Sequence, residues 1–418
     1  MKTIKNNINN FLYVLILFFP ILIILGPVAL NIFSIIFSLY AIVNYKNFFK
    51  LKVFNLEILI FFFTFIIFIF PYDSINFENS FSKYLAFIRF ILMLFGLIFF
   101  FEKENKDRKF LARIYKTYIL ILTIIIIDVL YEFYFGSNIL GFSSSYKGRI
   151  ASFTNDELII GFIFSILALS TLVFIYKNNT NLKFLFIIII FLIISFLIGE
   201  RSNFIKLTTL IMLFYLVNIK NFNFKSFLFK IIIIITLLIS FLEITKNTYQ
   251  GKKIYSTFNN LISFKENKIS LNIKKEFLNT RHAAHYMTAY KIFLDYPVFG
   301  IGINNFYQES SKKKYKIENY SSSSNHPHQI YLEIISEVGL FGLVYFLLIF
   351  FYPIYISLKK VLKSKEINLI SHLLLHIFFI FPILPSGSFF GTIYGIPFWF
   401  NLAILIYLSK MNLKNFKK

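Results

Sequence analysis

Arginine is scarce in this sequence although positive charge is abundant. Of 43 lysine and arginine residues, six are arginine: Arg89, Arg108, Arg113, Arg149, Arg201 and Arg281. Where lysine is the default cation, arginine indicates a need for its planar fork, which can bind a phosphate oxygen pair through two parallel hydrogen bonds. The arginines are therefore the first candidates for holding a phosphate or diphosphate group.

Histidine is concentrated within residues 244–333. Four of the six histidines lie there: His282, His285, His326 and His328. A neutral imidazole can serve as a general base because its ordinary pKa is close to physiological pH. The same side chains could instead form a metal site. There is no HExxH motif and no carboxylate at a ligand-like spacing from the pairs, so the sequence favours a general base and predicts no metal.

The first two histidines belong to RHAAHYMTAYKIFLDY, which has helical periodicity. One stripe of this helix is apolar: Ala284, Met287, Tyr290, Phe293 and Leu294. Arg281, His285 and Thr288 share the opposite face. The pattern predicts an amphipathic helix along the outer membrane surface, with a solvated helix that has no chemical role as the alternative.

The composition requires a membrane around these residues. Hydrophobic residues make up 57% of the 418 and charged residues 15%, against roughly 25% charged in a soluble domain. Uninterrupted apolar runs such as 58–70 and 231–241 would leave more apolar surface than one core could bury. A soluble globular protein is excluded.

The apolar segments predict an all-α, polytopic integral membrane protein with about twelve transmembrane helices. Segment 11–43 is too long for one span and is predicted to break at Gly26-Pro27. Its basic start is not followed by a small-residue cleavage pattern, so we expect an uncleaved span. The other predicted spans are 53–70, 84–101, 111–135, 158–176, 182–198, 204–217, 227–243, 334–358, 367–384 and 394–408.

Alternate loops are rich in lysine, which predicts that their side is cytoplasmic and that both termini lie there. The long segment 244–333 carries thirteen lysine and arginine residues. It is nevertheless placed on the outer side, because the orientation of long translocated segments depends little on their positive charge. The predicted parts are 1–243 with nine helices, 244–333 as a large outer loop containing amphipathic helices, and 334–418 with three helices.

The predicted orientation divides the arginines between the two sides of the membrane. Two lie in an inner loop: Arg108 and Arg113. Four lie on the outer side or in its leaflet: Arg89, Arg149, Arg201 and Arg281. Four unrelated surface arginines are the alternative, and Arg89 could instead form an ion pair with Asp128 at a similar depth.

Several other functions are disfavoured. A net charge of +23 would suggest nucleic acid in a soluble protein, but here the basic residues separate apolar runs, so no nucleic acid is expected. The absence of cysteine excludes disulfides and thiolate metal sites. FGIGINNF lacks the third glycine and the strand-helix frame of a nucleotide loop, and is predicted to be a turn.

Four segments in order resemble the O-antigen ligase and polymerase family of bacterial envelope glycan enzymes. RHAAHYMTAYKIFLDYPVFGIGINNF is similar to the family's loop helix and its Pro-aromatic-Gly-x-Gly turn, and NHPHQIYLEIISEVGLFG to its histidine-containing entry into the next span. GRIASFTNDELIIGF and GERSNF resemble outer-loop segments of some members. One departure is Gln329, where the family often has asparagine.

The resemblance implies a bacterial inner-membrane glycosyltransferase that needs no cofactor, metal or nucleotide sugar. It would take a glycan from undecaprenyl diphosphate at the periplasmic face and pass it to an acceptor hydroxyl. Arg201 and Arg281 match the family's outer-face arginines and would stabilise the leaving diphosphate. The remaining substrate-binding candidates are Arg89, Arg149, His285 and His326, with His326 also able to orient or replace His328, which would hold or deprotonate the acceptor.

The acceptor stays open at this point. A ligase would use the sugar of the lipid A core, a polymerase would join two lipid-linked repeats, and transfer to a protein is a third possibility. A polysaccharide or lipid transporter is the alternative from another class. It is disfavoured by the missing inverted repeat, the scarcity of midplane charges and the outward clustering of arginine and histidine.

Overall fold

The computed structural model of the protein describes residues 2–48, 56–104, 109–146, 148–157, 159–217, 262–265, 268–271, 280–317, 323–364 and 367–410, with a few isolated positions between 232 and 252. These residues form helices, connecting turns and one short β-hairpin. The first ten helices are α1 Lys2–Leu17, α2 Phe19–Ile24, α3 Pro27–Val43, α4 Tyr45–Phe48, α5 Leu56–Phe68, α6 Phe77–Glu104, α7 Lys109–Phe135, α8 Ile160–Asn178, α9 Asn181–Ile198 and α10 Arg201–Val217.

The second half of the chain begins with the hairpin, in which β1 Ile262–Lys265 pairs antiparallel with β2 Lys268–Leu271. The later helices are α11 Arg281–Asp295, α12 Phe306–Ser310, α13 Ile330–Glu337, α14 Gly339–Ser364, α15 Asn368–Phe379 and α16 Thr392–Lys410. Single 3₁₀ turns cover Ser152–Glu157 and Lys313–Tyr315.

The chain forms two compact units, each made of two separate segments. The first contains Met1–Leu25 and Leu111–Phe277, and the second contains Gly26–Phe110 and Leu278–Lys418. The division into 1–243, 244–333 and 334–418 stays a prediction.

In the first unit α8 is buried along most of its length and packs against α2, α9 and α10. The Thr180 side chain caps the start of α9 by accepting from the Lys183 N–H. Gly199 ends α9 in the left-handed conformation, at φ 83°, which a residue without Cβ adopts at low cost. Because α10 begins two residues later, Arg201 occupies its first position.

In the second unit α3 packs along α6, and α16 packs against both. A Cβ on Gly96 would lie 2.1 Å from the Phe37 carbonyl oxygen, so glycine is needed for the approach of these two helices. Aromatic rings fill the remaining space, with Phe37 edge-on to Phe100 at 6.1 Å between centroids. Small residues where backbones meet are typical of helix packing inside membranes.

Six of the described helices are long and apolar enough to cross a membrane: Phe77–Lys103, Lys109–Phe135, Ile160–Asn178, Asn181–Ile198, Gly339–Lys363 and Thr392–Lys410. Shorter apolar helices are Asn7–Leu17, Pro27–Val43 and Asn368–Phe379. The protein is therefore a polytopic, helical membrane protein, as predicted. The count of twelve spans stays a prediction, and most of the predicted span 227–243 lies outside the described residues.

The structure confirms one predicted helix break and shows another that the sequence did not predict. The predicted break at Gly26-Pro27 is confirmed, since α3 begins at Pro27 after Gly26 at φ 90°. The predicted span 334–358 was wrong at its start: α13 ends at Glu337 and α14 begins at Gly339, at φ 70°. A Cβ on Gly339 would lie 2.1 Å from the Val298 carbonyl oxygen. The close approach of this neighbouring turn therefore requires the break.

Candidate active site

The four outer-loop histidines lie together in the second unit. The His328 ring is 4.2 Å from His326, 5.2 Å from His285 and 5.6 Å from His282, measured between ring centroids. His328 Nε2 is 3.2 Å from the Ser324 hydroxyl. The start of α11 and the segment before α13 thus supply one histidine cluster.

Local structure explains how each pair reaches this cluster. Thr280 caps α11 by accepting from the Ala283 N–H at 3.1 Å, so the helix starts with His282 and His285 in its first turns. Gln329 caps α13 by accepting from the Leu332 N–H at 2.9 Å. Gln329 thus fixes the start of α13 directly after His328.

His328 itself adopts a left-handed backbone conformation, at φ 58°. This region is unusual for a residue with a side chain, although asparagine, aspartate and histidine enter it more often than others. The His328 carbonyl accepts from the Ser386 N–H at 2.8 Å, which ties it to the turn after α15. The segment after α15 is also joined to α11, because the Tyr286 hydroxyl donates to the Ile383 carbonyl at 3.0 Å.

Burial keeps the central histidines neutral. It lowers the pKa of His328 from 6.5 to about 3, with smaller contributions from neighbouring His326, His285, His282 and Arg281. Burial likewise lowers the pKa of His326 to about 4, partly offset by a hydrogen bond with the Ser386 backbone. Both imidazoles are therefore unprotonated at neutral pH. His326 Nε2 is buried without a hydrogen-bond partner among the described residues.

Two buried glutamates hold the loops around the cluster. Glu333 of α13 accepts from the Phe389 N–H at 2.7 Å and from the Ser388 hydroxyl, which fixes the turn that contains Ser386. Glu337, one turn further along α13, accepts from the Phe306 N–H at 3.4 Å. Carboxylates thus satisfy backbone donors that have no helical partner.

The orientation of α11 corrects one detail of the sequence reading. The helix is present where it was predicted, but Ala284 lies on the buried face together with His285 and Thr288. The exposed apolar residues are Met287, Tyr290 and Leu294. His285 and Thr288 thus pack on the protein, whereas Arg281 and His282 at the start of the helix are exposed.

The first unit brings together Arg149, Glu200 and Arg201. The backbone at Arg149 runs against the end of α9, with the Ile150 N–H donating to the Ile198 carbonyl at 3.2 Å. A Cβ on Gly199 would lie only 3.4 Å from the Arg149 Cα. Both arginine side chains are exposed. Glu200 precedes Arg201, and the charge of Arg149 acts on the Glu200 carboxylate.

Glu200 fastens this turn to α8. Its carboxylate accepts from the Gly161 N–H at 3.0 Å and from the Asn203 side chain at 2.5 Å. Burial raises the pKa of Glu200 to about 7, although these two donors and Arg149 favour the ionised form. A Cβ on Gly161 would lie 2.7 Å from the carboxylate, so only glycine permits this contact.

A second pair of carboxylates holds the loop that carries Arg149. Glu132 accepts from the Ala151 and Ser152 N–H groups at 2.9 and 2.6 Å. Asp128, one turn earlier on α7, accepts from the Ser152 hydroxyl at 2.6 Å. Ser152 is held in a left-handed conformation, at φ 48°. Such strain persists only when surrounding contacts determine it.

Arg89 has a different environment in the second unit. Its Nη2 donates to the Asn31 side chain of α3 at 2.9 Å, and Asn31 also accepts from the Thr392 hydroxyl at 3.2 Å. Asp128, the alternative partner suggested by the sequence, accepts from the Ile139 N–H and the Ser152 hydroxyl in the first unit.

The structure thus groups the predicted residues within each unit. Arg281, His285, His326 and His328 come together in the second unit, and His282, which the site prediction omitted, joins them. Arg149 and Arg201 come together in the first. A single pocket for Arg201, Arg281 and His328 stays a prediction. Within the part of the chain that the structure describes, no group of three or more histidine, aspartate or glutamate side chains could hold a metal ion.

The carboxylates that organise both sites were missed. Glu132, Glu200, Glu333 and Glu337 stand at the ends of apolar runs, and an acidic residue in such a place is a signal in itself. That signal does not say which backbone groups the carboxylate will bind.

These features define a class: a polytopic membrane protein with a cluster of four histidines and with arginine at the first position of two helices. Residues 185–347 match the protein-family model described as O-antigen ligase. The match confirms the resemblance of the sequence to the O-antigen ligase and polymerase family. The matched segment contains Arg201, Arg281 and the four clustered histidines. A comparison with curated proteins found no match.

We expect Glu132→Gln to destabilise the protein by about 1–3 kcal/mol, because an amide cannot accept from both backbone N–H groups and leaves a buried donor unsatisfied. Thermal unfolding and limited proteolysis of the loop 138–157 would measure the effect. Glu157→Gln, the same change on an exposed residue of that loop, is the matched control. Equal stability of both variants would contradict a stabilising role for the hydrogen bonds between Glu132 and this loop.

The lowered pKa values of His326 and His328 predict a pH dependence of stability. Their folded-state pKa values of about 4 and about 3 lie below the ordinary 6.5. Protonation therefore favours the unfolded chain, and the free energy of unfolding should fall as the pH decreases from 6.5 towards 4. Above pH 6.5 the contribution is constant.

Thermal unfolding of the purified protein at a series of pH values would test this. The double variant His326→Gln and His328→Gln should lose part of the slope between pH 6.5 and 4. An unchanged slope in the double variant would assign the effect to other groups.

Proposed function

We propose that the protein transfers a glycan from undecaprenyl diphosphate to an acceptor hydroxyl at the periplasmic face of the bacterial inner membrane. The observation that carries the proposal is the buried, neutral His328 among three other histidines and Arg281, inside the segment that matches the family. Both termini would then be cytoplasmic. The reaction needs a base for a hydroxyl and a stabiliser for a leaving diphosphate, and the chain offers both residue types.

His328 would act on the acceptor. The 3.2 Å contact of its Nε2 with Ser324 Oγ supports access of a hydroxyl to this nitrogen. The acceptor oxygen would form the new bond to the anomeric carbon while its proton moves to His328. The bond from that carbon to the diphosphate oxygen breaks in the same event. The low pKa keeps His328 unprotonated across the neutral pH range, so its ring nitrogen can accept a hydrogen bond from the acceptor hydroxyl.

The arginines would act on the leaving group. Negative charge grows on the diphosphate as the anomeric bond breaks, and a fixed guanidinium there stabilises the transition state more than the ground state. Arg201 and Arg281 are assigned this role, with Arg149 and Arg89 as supporting substrate-binding residues. His285 and His326 would orient the acceptor or its base. Guanidinium groups would do the work of a divalent ion.

Arg281→Lys should reduce glycan transfer roughly 10²-fold, because lysine keeps the charge but cannot form a two-point contact with the diphosphate. Transfer from a purified lipid-diphosphate glycan to acceptor in proteoliposomes is the measurement. Arg113→Lys is the matched control, since Arg113 hydrogen-bonds Tyr13 near the start of α7 and should tolerate the change. Wild-type transfer by Arg281→Lys would count against the assignment.

Ligase and polymerase differ in the acceptor, and we propose a ligase that uses the lipid A core. We expect product on added lipid A core and no elongation of the lipid-linked donor when that acceptor is omitted. Elongated lipid-linked glycan would indicate a polymerase. A transporter or flippase, the alternative of another class, would yield neither product.

A further inference from the structure

The outward face of α11 is apolar although the helix lies outside the candidate spans. Met287, Tyr290 and Leu294 are 41%, 55% and 58% exposed. They recur at helical spacing and form one stripe. A helix in water places its polar side chains outward and its apolar ones inward. In the middle of α11 the apolar side chains point outward, whereas the polar His285 and Thr288 are buried. This indicates that the outer face of the helix does not meet bulk water.

The inward face fixes the helix on the protein. Thr288 donates its hydroxyl to the Tyr315 carbonyl at 3.1 Å. Ala289 and Ile292 are fully buried in a cluster with Phe306 and Tyr315. The stripe therefore cannot turn inward, and its exposure is a permanent property of the fold.

The stripe continues into the surface of a candidate membrane span. After α11, the Pro297 carbonyl accepts from the Leu340 N–H at 2.9 Å at the start of α14. The exposed Phe299 stacks on the Phe341 ring of α14 at 5.8 Å between centroids. Leu340, Phe341 and, one turn further, Val344 are themselves exposed. The lipid-facing surface of α14 and the outward face of α11 therefore form one continuous apolar surface.

We propose that Met287, Tyr290, Leu294, Val298 and Phe299, here called the α11 wedge, insert into the bilayer interface beside the start of α14. The occupant is membrane lipid, because the wedge continues a surface that already faces lipid. Its tyrosine and phenylalanine suit the headgroup boundary. Interfacial helices of this kind bury their apolar face about 5–10 Å into the headgroup and acyl boundary.

The wedge also bears on the histidine cluster. His285 lies on the inward face of the same helix, so lipid contact on one side holds the cluster at the membrane edge on the other. A lipid-linked substrate would reach the cluster from within the leaflet. This consequence rests on the proposed function, whereas the lipid contact does not.

Tryptophan fluorescence can test the lipid contact, because Trp399 is the chain's single tryptophan and is fully buried. Tyr290→Trp and Leu294→Trp would be placed in nanodiscs made with phospholipids brominated in the acyl chain, and the wild-type signal subtracted. Val344→Trp on α14 is the lipid-facing reference. Lys313→Trp, at an exposed lysine, is the water-facing reference.

Quenching of both wedge tryptophans by brominated lipid to the extent seen for Val344→Trp, with little quenching by aqueous acrylamide, is the expected result. Acrylamide quenching like that of Lys313→Trp would overturn the proposal. Protection from both quenchers would also overturn it, by assigning the face to a protein partner. The readout involves no glycan transfer, so its failure and that of the proposed function are distinguishable.

Discussion

Carboxylates that accept backbone N–H groups are the interaction on which both candidate sites depend. A chain in a membrane must satisfy every backbone donor within the protein wherever a helix stops. Asp128, Glu132, Glu200, Glu333 and Glu337 each accept from an N–H outside a helix or in a first helical turn. Each carboxylate stands on or beside a helix and fixes an irregular segment to it.

Residues that could do chemistry lie on the segments fixed in this way. In the first unit Glu132 holds the backbone two residues beyond Arg149, and Glu200 holds the turn that precedes Arg201. In the second unit Glu333 holds the turn whose Ser386 N–H binds the His328 carbonyl. Functional groups on loops need such supports to keep a defined geometry. The acidic residues of this basic protein are therefore few but structurally specific.

The sequence predicted the helices well because a membrane span has a strong hydropathy signal. It also pointed to the segment that carries the cluster, because four of the six histidines lie within residues 244–333. It placed His285 opposite the apolar stripe of α11, but it could not show that Ala284 lies on the buried face with His285, because that depends on what packs against the helix. The break at Gly339 depends on a close contact with Val298, a residue distant in the sequence, which periodicity cannot show.

The left-handed backbone at His328 affects what any substitution at this position changes. A left-handed residue with a side chain is tolerated by few amino acids, and the carbonyl at this position also carries the tie to Ser386. Replacing the imidazole with alanine therefore changes the local chain geometry as well as removing a ring nitrogen. Asparagine, which adopts this conformation readily, separates the two effects. The identity of residue 328 is thus constrained twice, by conformation and by chemistry, and the two constraints need different probes.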